Sequence, residues 1–353
     1  MSKQTPLFDQ HVAAGGKMVD FAGWRMPLNY GSQLAEHRAV RENVGMFDVS
    51  HMTVVDVAGA GALDYLRRLV SNDVTKLQSV GQACYGLLLN ESGGVIDDLI
   101  VYRRADDYRL VTNAATRDSV LAWLSQHSDG SVAIEERELA MLAVQGPRAL
   151  ACFSDLAGKP VPEAPFTAVE HGGWLVARTG YTGEDGVEVV LDPDAAVRLW
   201  QALAAAGVQP AGLAARDTLR LEAGLNLCGQ DMDATTSPLV SNLAWTVSWE
   251  PTERDFIGRT ALEAERAQGP RAKLSGVVLE TKGIPRQGQT VHTQAGSGAV
   301  TSGIFSPTLG QGIALARIPR QAKGDCEVEV RGKRLAARIV RPPFVRRGER
   351  VFK

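Results

Sequence analysis

Apolar residues fill most of the stretch from Gly94 to Tyr102, and two adjacent carboxylates, Asp97 and Asp98, interrupt it. The apolar pattern predicts a strand. Because side chains alternate across a strand, we expect the two acids to point to opposite faces and at least one to be half-buried. A buried carboxylate needs a partner, contact with water, or a ligand that supplies the partner. The alternative is an edge strand on which both acids are solvated.

Similar patterns predict the elements around this strand. A strand over 82–89 and the turn Asn90–Gly94 precede it, which predicts a hairpin with Tyr85 on the outgoing arm, close to one of the acids. Residues 18–31 mix aromatic residues, Met, Gly and Pro without a clear period, which is typical of an irregular segment. The remaining predictions are helices over 32–44, 60–71, 116–127, 193–206, 212–223 and 260–268, and strands over 47–57, 108–113, 187–191 and 243–249.

The pattern changes after the pair Gly269–Pro270. From Lys273 onward, short apolar strands alternate with Gly, Pro and basic residues, which predicts a small all-β domain. A chain of 353 residues is also longer than one hydrophobic core usually supports. We therefore predict a first region over 1–269 and a second region over 270–353.

Composition excludes several classes of function. The chain has 38 Lys and Arg against 40 Asp and Glu, a formal net charge of -2, so we expect no nucleic-acid partner and no anionic membrane surface. No apolar run approaches the ~20 residues of a membrane-spanning helix. The four cysteines lie far apart without a CxxC motif, which suggests neither a metal site nor a disulfide framework. With no signal-peptide or transit pattern at the N-terminus, we expect a cytoplasmic protein.

A second acid interrupts an apolar pattern at Glu188, in the strand after the glycine-rich loop 178–186. The loop lacks GxGxxG or GKS/T spacing and leads into a strand, which argues against a phosphate-binding loop. In the predicted helix 212–223, Arg216 and Arg220 lie one turn apart. For Arg220 we expect a solvated, charged helix face with an internal network of Asp217, Arg220 and Glu222.

Two further polar residues lie in predicted strands. His51 is a lone histidine in the strand 47–57, where a hydrogen-bonded core histidine is more common than a catalyst. Asn113 ends the strand 108–113 immediately before a helix, a common place for a ligand contact.

Seven short motifs occur in one order along the chain. They are MPL with Tyr30 (26–30), FDVSHM (47–52), GGVIDDLI (93–100), RTGYTGEDG (178–186), GLAARDTLRLE (212–222), GQDMD (229–233) and TSGIFSPTLG (301–310). By these motifs, their order and their separations, the chain resembles the T-protein family of the glycine cleavage system, the tetrahydrofolate-dependent aminomethyltransferases. The resemblance covers essentially the whole chain.

The resemblance implies a fold and a reaction. The fold is α+β with three lobes: two α+β lobes form the folate-binding region, and a C-terminal β-barrel follows. The reaction is transfer of a one-carbon unit from the aminomethylated lipoyl arm of the H protein to tetrahydrofolate. Its products are 5,10-methylenetetrahydrofolate, ammonia and the dihydrolipoyl H protein. The implied partners are folate and, transiently, the lipoylated H protein.

The resemblance also implies roles for individual residues. Asp98 matches the catalytic aspartate of the family, and Asp97 is expected to be structural. Glu188 accepts the adjacent N–H donors of the pterin, with Arg216 beside it near the ring. The implied folate-binding residues are Tyr85, Val111, Asn113, Tyr181, Glu188 and Arg216. We expect no covalent nucleophile, no metal and no flavin. Cys228 stands where many members have an aromatic residue.

Two alternatives share this scaffold. One is another folate-dependent enzyme, such as a demethylase of small sulfur compounds, which has the same fold and folate site. The other is a non-catalytic folate-binding factor for iron–sulfur assembly, a group with a Lys-Gly-Cys-Tyr-x-Gly-Gln-Glu motif. The equivalent stretch here is Gly224–Asp231, GLNLCGQD, which lacks the motif cysteine at its position. The second alternative is therefore disfavoured.

Overall fold

The computed structural model describes residues 2–352. The chain divides into two compact units, each assembled from segments that are not consecutive in sequence. The first unit contains residues 2–66, 74–85 and 99–217, and the second contains residues 67–73, 86–98 and 218–352.

The helices begin where the sequence supplies capping side chains. Ser32 Oγ accepts a hydrogen bond from the Ala35 amide at 3.2 Å, and Asp192 caps a helix whose first residue is Pro193, so both termini follow common capping chemistry. The α-helices of residues 2–352 are α1 (Phe8–Ala13), α2 (Gln33–Glu42), α3 (Ala62–Leu69), α4 (Arg117–Gln126), α5 (Ala149–Ala157), α6 (Pro193–Ala205), α7 (Leu213–Glu222) and α8 (Arg259–Gln268). The helices predicted from the sequence are confirmed.

The strands fall in both parts of the chain. Before residue 218 they are β1 (Lys3–Gln4), β2 (Met18–Phe21), β3 (Trp24–Pro27), β4 (Gly45–Asp48), β5 (Thr53–Ala58), β6 (Ala83–Leu89), β7 (Val95–Arg103), β8 (Asp107–Thr112), β9 (Ala133–Arg137), β10 (Ala140–Gln145), β11 (Ala168–His171), β12 (Trp174–Ala177), β13 (Gly186–Leu191) and β14 (Gln209–Pro210). After it they are β15 (Ala272–Leu279), β16 (Thr290–Thr293), β17 (Gly296–Ser306), β18 (Gln311–Pro319), β19 (Asp325–Val330), β20 (Lys333–Val340), β21 (Val345–Arg346) and β22 (Glu349–Arg350).

One sheet of the first unit determines which way Glu188 points. Its strand order is β11-β12-β13-β10-β4-β14, and the register aligns Phe47, Ala143 and Glu188 in one row. Directly opposed residues lie on the same face of a sheet. The neighbouring rows, with Met46 and Val144, pack into a core with α5 and α6. Glu188 therefore points away from these helices.

A second sheet has the strand order β6-β7-β8-β5-β9. The turn between β6 and β7 is closed by a hydrogen bond from the Asn90 amide to the Gly94 carbonyl at 2.9 Å. The Asn90 side chain accepts from the Ser92 and Gly94 amides, a local bonding pattern that suits Asn to turns. The predicted hairpin is confirmed, and the acid-bearing strand is its return arm.

The C-terminal part of the second unit is a closed barrel with the order β15-β18-β17-β16-β19-β20, sealed by pairing of β15 with β20. Its strand β19 alternates strictly, with Cys326, Val328 and Val330 buried and the acids between them exposed. The buried residues belong to one apolar core, as a period of two along a strand requires. The predicted all-β tail is confirmed.

Three local predictions are wrong. Residues 18–31 contain the hairpin β2–β3, whose turn residues Ala22 and Gly23 both have positive φ, 51° and 79°. Such turns usually carry Asn or Asp before Gly, so the Ala gave no turn signal. The predicted strand 47–57 is two strands in different sheets, β4 and β5. The predicted strand 243–249 contains a 3-10 turn instead, Ala244–Thr246.

Candidate functional site

Glu188 is held from one side by a chain of hydroxyl groups. The Thr179 hydroxyl donates to Glu188 Oε2 at 2.7 Å, and the Tyr102 hydroxyl lies 3.3 Å from the same threonine oxygen. Burial, and then the charge of Glu188, raise the pKa of Tyr102, so the phenol stays protonated and can donate to Thr179. Within residues 2–352 no donor reaches the second oxygen, Oε1. One carboxylate oxygen is therefore fixed and the other is available to a ligand.

Arg216 reaches this carboxylate from the first half of α7. The Gly212 amide before the helix donates to Glu36 Oε2 at 3.0 Å, and a Cβ at Gly212 would lie 2.5 Å from the Leu28 carbonyl oxygen. The helix start is thus fixed where only Gly fits. Burial lowers the pKa of Arg216, and the charge of Glu188 opposes that effect. The guanidinium and carboxylate are close enough to interact in a partly desolvated environment.

Tyr181 completes this group. The Arg216 guanidinium carbon lies 4.7 Å from the centre of the Tyr181 ring, a cation–π distance. The loop that carries Tyr181 is fixed on both sides of it. Gln145 donates to the Thr179 carbonyl at 3.1 Å and accepts from the Thr182 hydroxyl at 2.8 Å. The structure thus brings together three predicted site residues: Tyr181, Glu188 and Arg216.

The other predicted binding residues of the first unit lie on or beside its second sheet. Val111 is buried on β8 opposite Ile100. Asn113 is half-buried just beyond the end of β8, and its carbonyl accepts from the Thr116 hydroxyl at 3.2 Å before α4 begins. Tyr85 is half-buried on β6. These positions agree with the strand-end location predicted for Asn113.

His51 is a buried histidine that interacts electrostatically with Arg216 and Asp48. It is 4% exposed, and its Nδ1 has no hydrogen-bond partner among residues 2–352. The expectation of a core histidine is confirmed, but the expected hydrogen bond is missing at Nδ1. Burial and then the charge of Arg216 lower its pKa to about 4, while Asp48 opposes them. The FDVSHM motif was the only signal in the sequence that could have singled it out.

Asp98 lies in the second unit, at the start of β7. Asp97 is fully buried and Asp98 is half-buried. Carboxylate oxygens of both residues and the Cys228 sulfur all lie within 4.8 Å of one another. The expectation that alternation separates the two acids is therefore wrong for their carboxylates, which converge on one thiol.

The start of β7 is held against a loop of the same unit. The Val95 amide donates to the carbonyls of Asp233 and Thr236 at 3.0 and 3.1 Å. A Cβ at Gly94 would lie 1.9 Å from the Ala234 carbonyl oxygen, so this position requires Gly. The motif GGVIDDLI thus contains both the acids and the glycine that allows their strand to approach this loop.

Arg220 corrects another prediction. Arg220 is only 1% exposed, so the expected solvated face is wrong. Its Nη1 donates to Asp231 Oδ2 at 2.8 Å and its Nη2 donates to Ser302 Oγ at 2.9 Å. Helical spacing could not show this because both partners are distant in sequence. Arg220 is a structural residue of the second unit.

Other features bear on the class of protein. All four cysteines are free. No helix within residues 2–352 combines the length and the apolar character needed to span a membrane. A surface hollow of about 840 Å³ lies on the barrel beside β16 and β19, and none of the seven predicted site residues lines it.

Comparison with known proteins agrees with this arrangement. Residues 7–251 match the family model described as the GCVT N-terminal domain, and residues 273–346 match the glycine cleavage T-protein C-terminal barrel domain. An aminomethyltransferase from Pseudomonas syringae pv. tomato is 54% identical over 99% of both chains. One from Alcanivorax borkumensis is 54% identical over 100% of this chain and 99% of its own.

A solved structure extends the similarity to three dimensions. The crystal structure of glycine cleavage system aminomethyltransferase T from Bartonella henselae matches with a TM-score of 0.93 and 37% identity over 100% of both chains. Fold and site thus define a one-carbon transferase of the aminomethyltransferase class. The chain belongs to the glycine cleavage T-protein family, whose members use tetrahydrofolate as co-substrate. The family, fold class and enzyme class expected from the sequence are confirmed.

Proposed function

We propose that this chain transfers the one-carbon unit of the aminomethylated lipoyl arm of the H protein to tetrahydrofolate. The products are 5,10-methylenetetrahydrofolate, ammonia and the dihydrolipoyl H protein. Full-length similarity to proteins named aminomethyltransferase supports this proposal. The free state of all four cysteines suits a reducing compartment, and we place the reaction in the cytoplasm.

The observation that carries the proposal is the available oxygen of Glu188. The pyrimidinone edge of a pterin presents two adjacent N–H donors and one carbonyl oxygen. A carboxylate can accept from the donors, and a guanidinium can donate to the carbonyl. Glu188 and Arg216 supply these two groups, with Oε2 of Glu188 already bonded to Thr179 and Oε1 available to the pterin. Because Glu188 and Arg216 are already arranged in the free protein, less conformational entropy is lost when the ligand binds.

The remaining binding residues provide apolar and aromatic contact area. We assign Tyr181, which already packs against Arg216, to the folate ring system. Tyr85, Val111 and Asn113 are assigned to the folate pocket by the resemblance to the family. Aromatic rings contribute large contact areas at low entropic cost.

Asp98 is the proposed catalytic residue. Its half-buried carboxylate can orient the reacting groups, stabilise positive charge on the one-carbon unit and help move protons as ammonia leaves. General acid–base assistance of this kind typically contributes ~10² to 10⁴ in rate. Orientation of the two substrates adds to that contribution.

Turnover with different one-carbon donors tests the proposal. The purified chain is supplied with tetrahydrofolate and either aminomethylated H protein or methylated sulfur compounds, and methylene- and methyltetrahydrofolate are quantified. We expect folate-dependent release of ammonia with the H protein and no turnover with sulfur donors. Turnover with sulfur donors alone would instead identify a demethylase, and folate binding without any turnover would favour a non-catalytic role.

A further inference from the structure

Gln145 is the last residue of β10, and its side chain lies on the same face of the sheet as Glu188. In the register, Glu188 lies opposite Ala143, two residues before Gln145 on the same strand. Directly opposed residues share a face, and so do residues two apart along a strand. Gln145 is only 1% exposed, so its amide acts inside the protein and not directly on a ligand.

Two glycines of the motif RTGYTGEDG make room for the Gln145 side chain. A Cβ at Gly180 would lie 2.0 Å from Gln145 Oε1, and a Cβ at Gly186 would lie 2.6 Å from its Nε2. A larger residue at either position would therefore displace the amide from its hydrogen bonds. The glycines of this loop thus accommodate an internal side chain, which agrees with the sequence argument against a phosphate-binding loop.

The Gln145 amide holds the loop on both sides of Tyr181. Its Nε2 donates to the Thr179 carbonyl at 3.1 Å, and its Oε1 accepts from the Thr182 hydroxyl at 2.8 Å. Two longer hydrogen bonds, of 3.3 and 3.4 Å, run from Nε2 to carbonyl oxygens of β10 and β13. The donor and the acceptor of this buried amide are therefore both used.

Thr179 connects this amide to Glu188. The Thr179 carbonyl accepts from Gln145, and the hydroxyl of the same threonine donates to Glu188 Oε2 at 2.7 Å. On the other side of the loop, the Thr182 carbonyl accepts from Arg41 Nη1 at 2.6 Å. A single buried amide is therefore one residue away from two of the proposed folate contacts.

We propose that Gln145 is a positioning residue for folate binding: its amide fixes the loop of Tyr181 and the carboxylate of Glu188 in the arrangement that receives the pterin. This inference rests on the proposed folate site. Without the amide, the loop adopts more conformations in the free protein, and ordering it on binding costs affinity. Chemistry at Asp98 does not involve the amide, so the loss falls on binding and not on kcat.

Calorimetry with 5-formyltetrahydrofolate tests this role. Gln145→Met keeps the approximate length of the side chain but removes its donor and acceptor. We expect the Kd to rise about tenfold and kcat at saturating folate to change less than about twofold. Gln209→Met is the control, because Gln209 lies on the edge strand β14 of the same sheet and donates to the adjacent Pro210 carbonyl. A wild-type Kd in Gln145→Met overturns the proposal.

Binding stoichiometry separates positioning from a merely structural role. Destabilisation lowers the fraction of folded protein, and with it the stoichiometry, but leaves the Kd of the folded molecules unchanged. Thr182→Val removes the hydroxyl that donates to Gln145 and should raise the Kd about threefold. Thr182→Ser keeps a hydroxyl and should bind folate like the wild type. A lowered stoichiometry with a native Kd in both Gln145→Met and Thr182→Val refutes positioning.

A double-mutant cycle tests whether Gln145 acts through Tyr181. In the Tyr181→Ala protein the loop presents no ring, so Gln145→Met should raise the Kd by a smaller factor than in the wild type. Equal factors in the two backgrounds contradict the connection.

These binding measurements are independent of turnover. If the wild-type protein binds folate as expected but shows no aminomethyl transfer, the proposed reaction fails and the positioning role stands. Aminomethyl transfer together with an unchanged Kd in Gln145→Met gives the reverse result. Absence of folate binding in the wild type overturns both.

Discussion

At the scale of single residues, Glu188 shows how one carboxylate combines structural and binding roles. The Thr179 hydroxyl fixes one oxygen, and buried Tyr102 supports that hydroxyl in turn. The orientation of the carboxylate is therefore set before a ligand arrives. A carboxylate that need not reorient loses less free energy when it binds.

Replacement of Glu188 should weaken folate binding. Glu188→Ala removes the charge-assisted acceptor, and we expect a loss of ~1.5 to 3 kcal/mol in the affinity for 5-formyltetrahydrofolate, measured by calorimetry. Glu188→Gln should lose a similar amount of binding free energy, because the amide N–H group of Gln would face the N–H donors of the pterin. Glu135→Gln, at an exposed acid on β9, is the control. Native affinity for 5-formyltetrahydrofolate in Glu188→Ala would rule out the proposed binding of the pterin by Glu188.

Replacement of Asp98 should separate chemistry from binding. Asp98→Asn keeps the size of the side chain but removes its charge and basicity, so we expect kcat to fall by ~10² or more while the folate Kd changes little. Single-turnover kinetics with aminomethylated H protein measure the effect. Asp118→Asn, at a largely exposed acid of α4, should match the wild type. Unchanged turnover in Asp98→Asn removes this residue from the mechanism.

His51 should make stability depend on pH. Its pKa is lowered from 6.5 to about 4 in the folded protein, so the unfolded chain binds the proton more tightly. The free energy of unfolding is therefore not reduced by His51 above about pH 6.5. It decreases as the pH falls from 6.5 towards 4, by up to roughly 3 kcal/mol, because the unfolded chain takes up the proton first.

Urea unfolding of wild-type and His51→Gln protein at pH 7 and 4.5 measures this effect. The stability difference between the two pH values should be smaller in the variant. His171→Gln, at an exposed histidine, should retain the wild-type difference. Identical pH dependence in His51→Gln would show that His51 is not the titrating group.

At the scale of elements, sequence patterns succeed where the determinants are local. The helix Gln33–Glu42 follows from its apolar spacing and the Ser32 cap, and the barrel strand β19 follows from strict alternation. Patterns fail where the partner is remote. The strand predicted over 47–57 is interrupted after Asp48: β4 pairs with β10 in one sheet, and β5 pairs with β8 in the other. No local pattern records this change of sheet, because it depends on partner strands that are distant in sequence.

In the candidate site, too, features set by neighbouring residues could be predicted from the sequence, and features set by remote segments could not. A buried acid at Glu188 could be predicted from its apolar neighbours. The convergence of Asp97 and Asp98 on Cys228, and the pairing of Arg220 with Asp231, depend on how a separate segment packs. Resemblance to a family supplied the roles of Asp98 and Arg216, because residue patterns alone do not distinguish a ligand-binding charge from a solvated one.

The Arg220–Asp231 pair should stabilise the second unit. Both side chains are almost completely buried, and removing Arg220 takes away the cation bonded directly to Asp231, which then keeps only hydroxyl and amide donors. Arg220→Met should therefore cost ~3 to 5 kcal/mol of unfolding free energy, measured by urea unfolding. Glu263→Gln breaks a pair whose acid is half exposed and should cost less than ~0.5 kcal/mol. Equal, small effects of both changes would contradict the structural role of Arg220.

At the scale of the whole molecule, the chain consists of two units whose segments interleave along the sequence. The strand β7 belongs to both, with Asp98 at the end of its second-unit segment and Leu99 beginning the first-unit segment. The catalytic aspartate proposed here thus lies on a continuous element that both units share. The boundary near residue 270 stays a prediction.

The association with the H protein should depend on salt. A transient partner that presents a flexible lipoyl arm is expected to be steered by complementary charges, which salt screens. The KM for aminomethylated H protein should therefore rise severalfold between low and high ionic strength. The KM for tetrahydrofolate, measured in the same series, serves as the reference. If both constants respond equally, electrostatic steering of the partner is not responsible.

The position of bound 5-formyltetrahydrofolate tests the central claim most directly. A crystal structure of the complex should show the pyrimidinone edge of the pterin against the Glu188 carboxylate, with Arg216 beside the ring. A pterin bound elsewhere in the protein, with Glu188 still bonded only to Thr179, would contradict it.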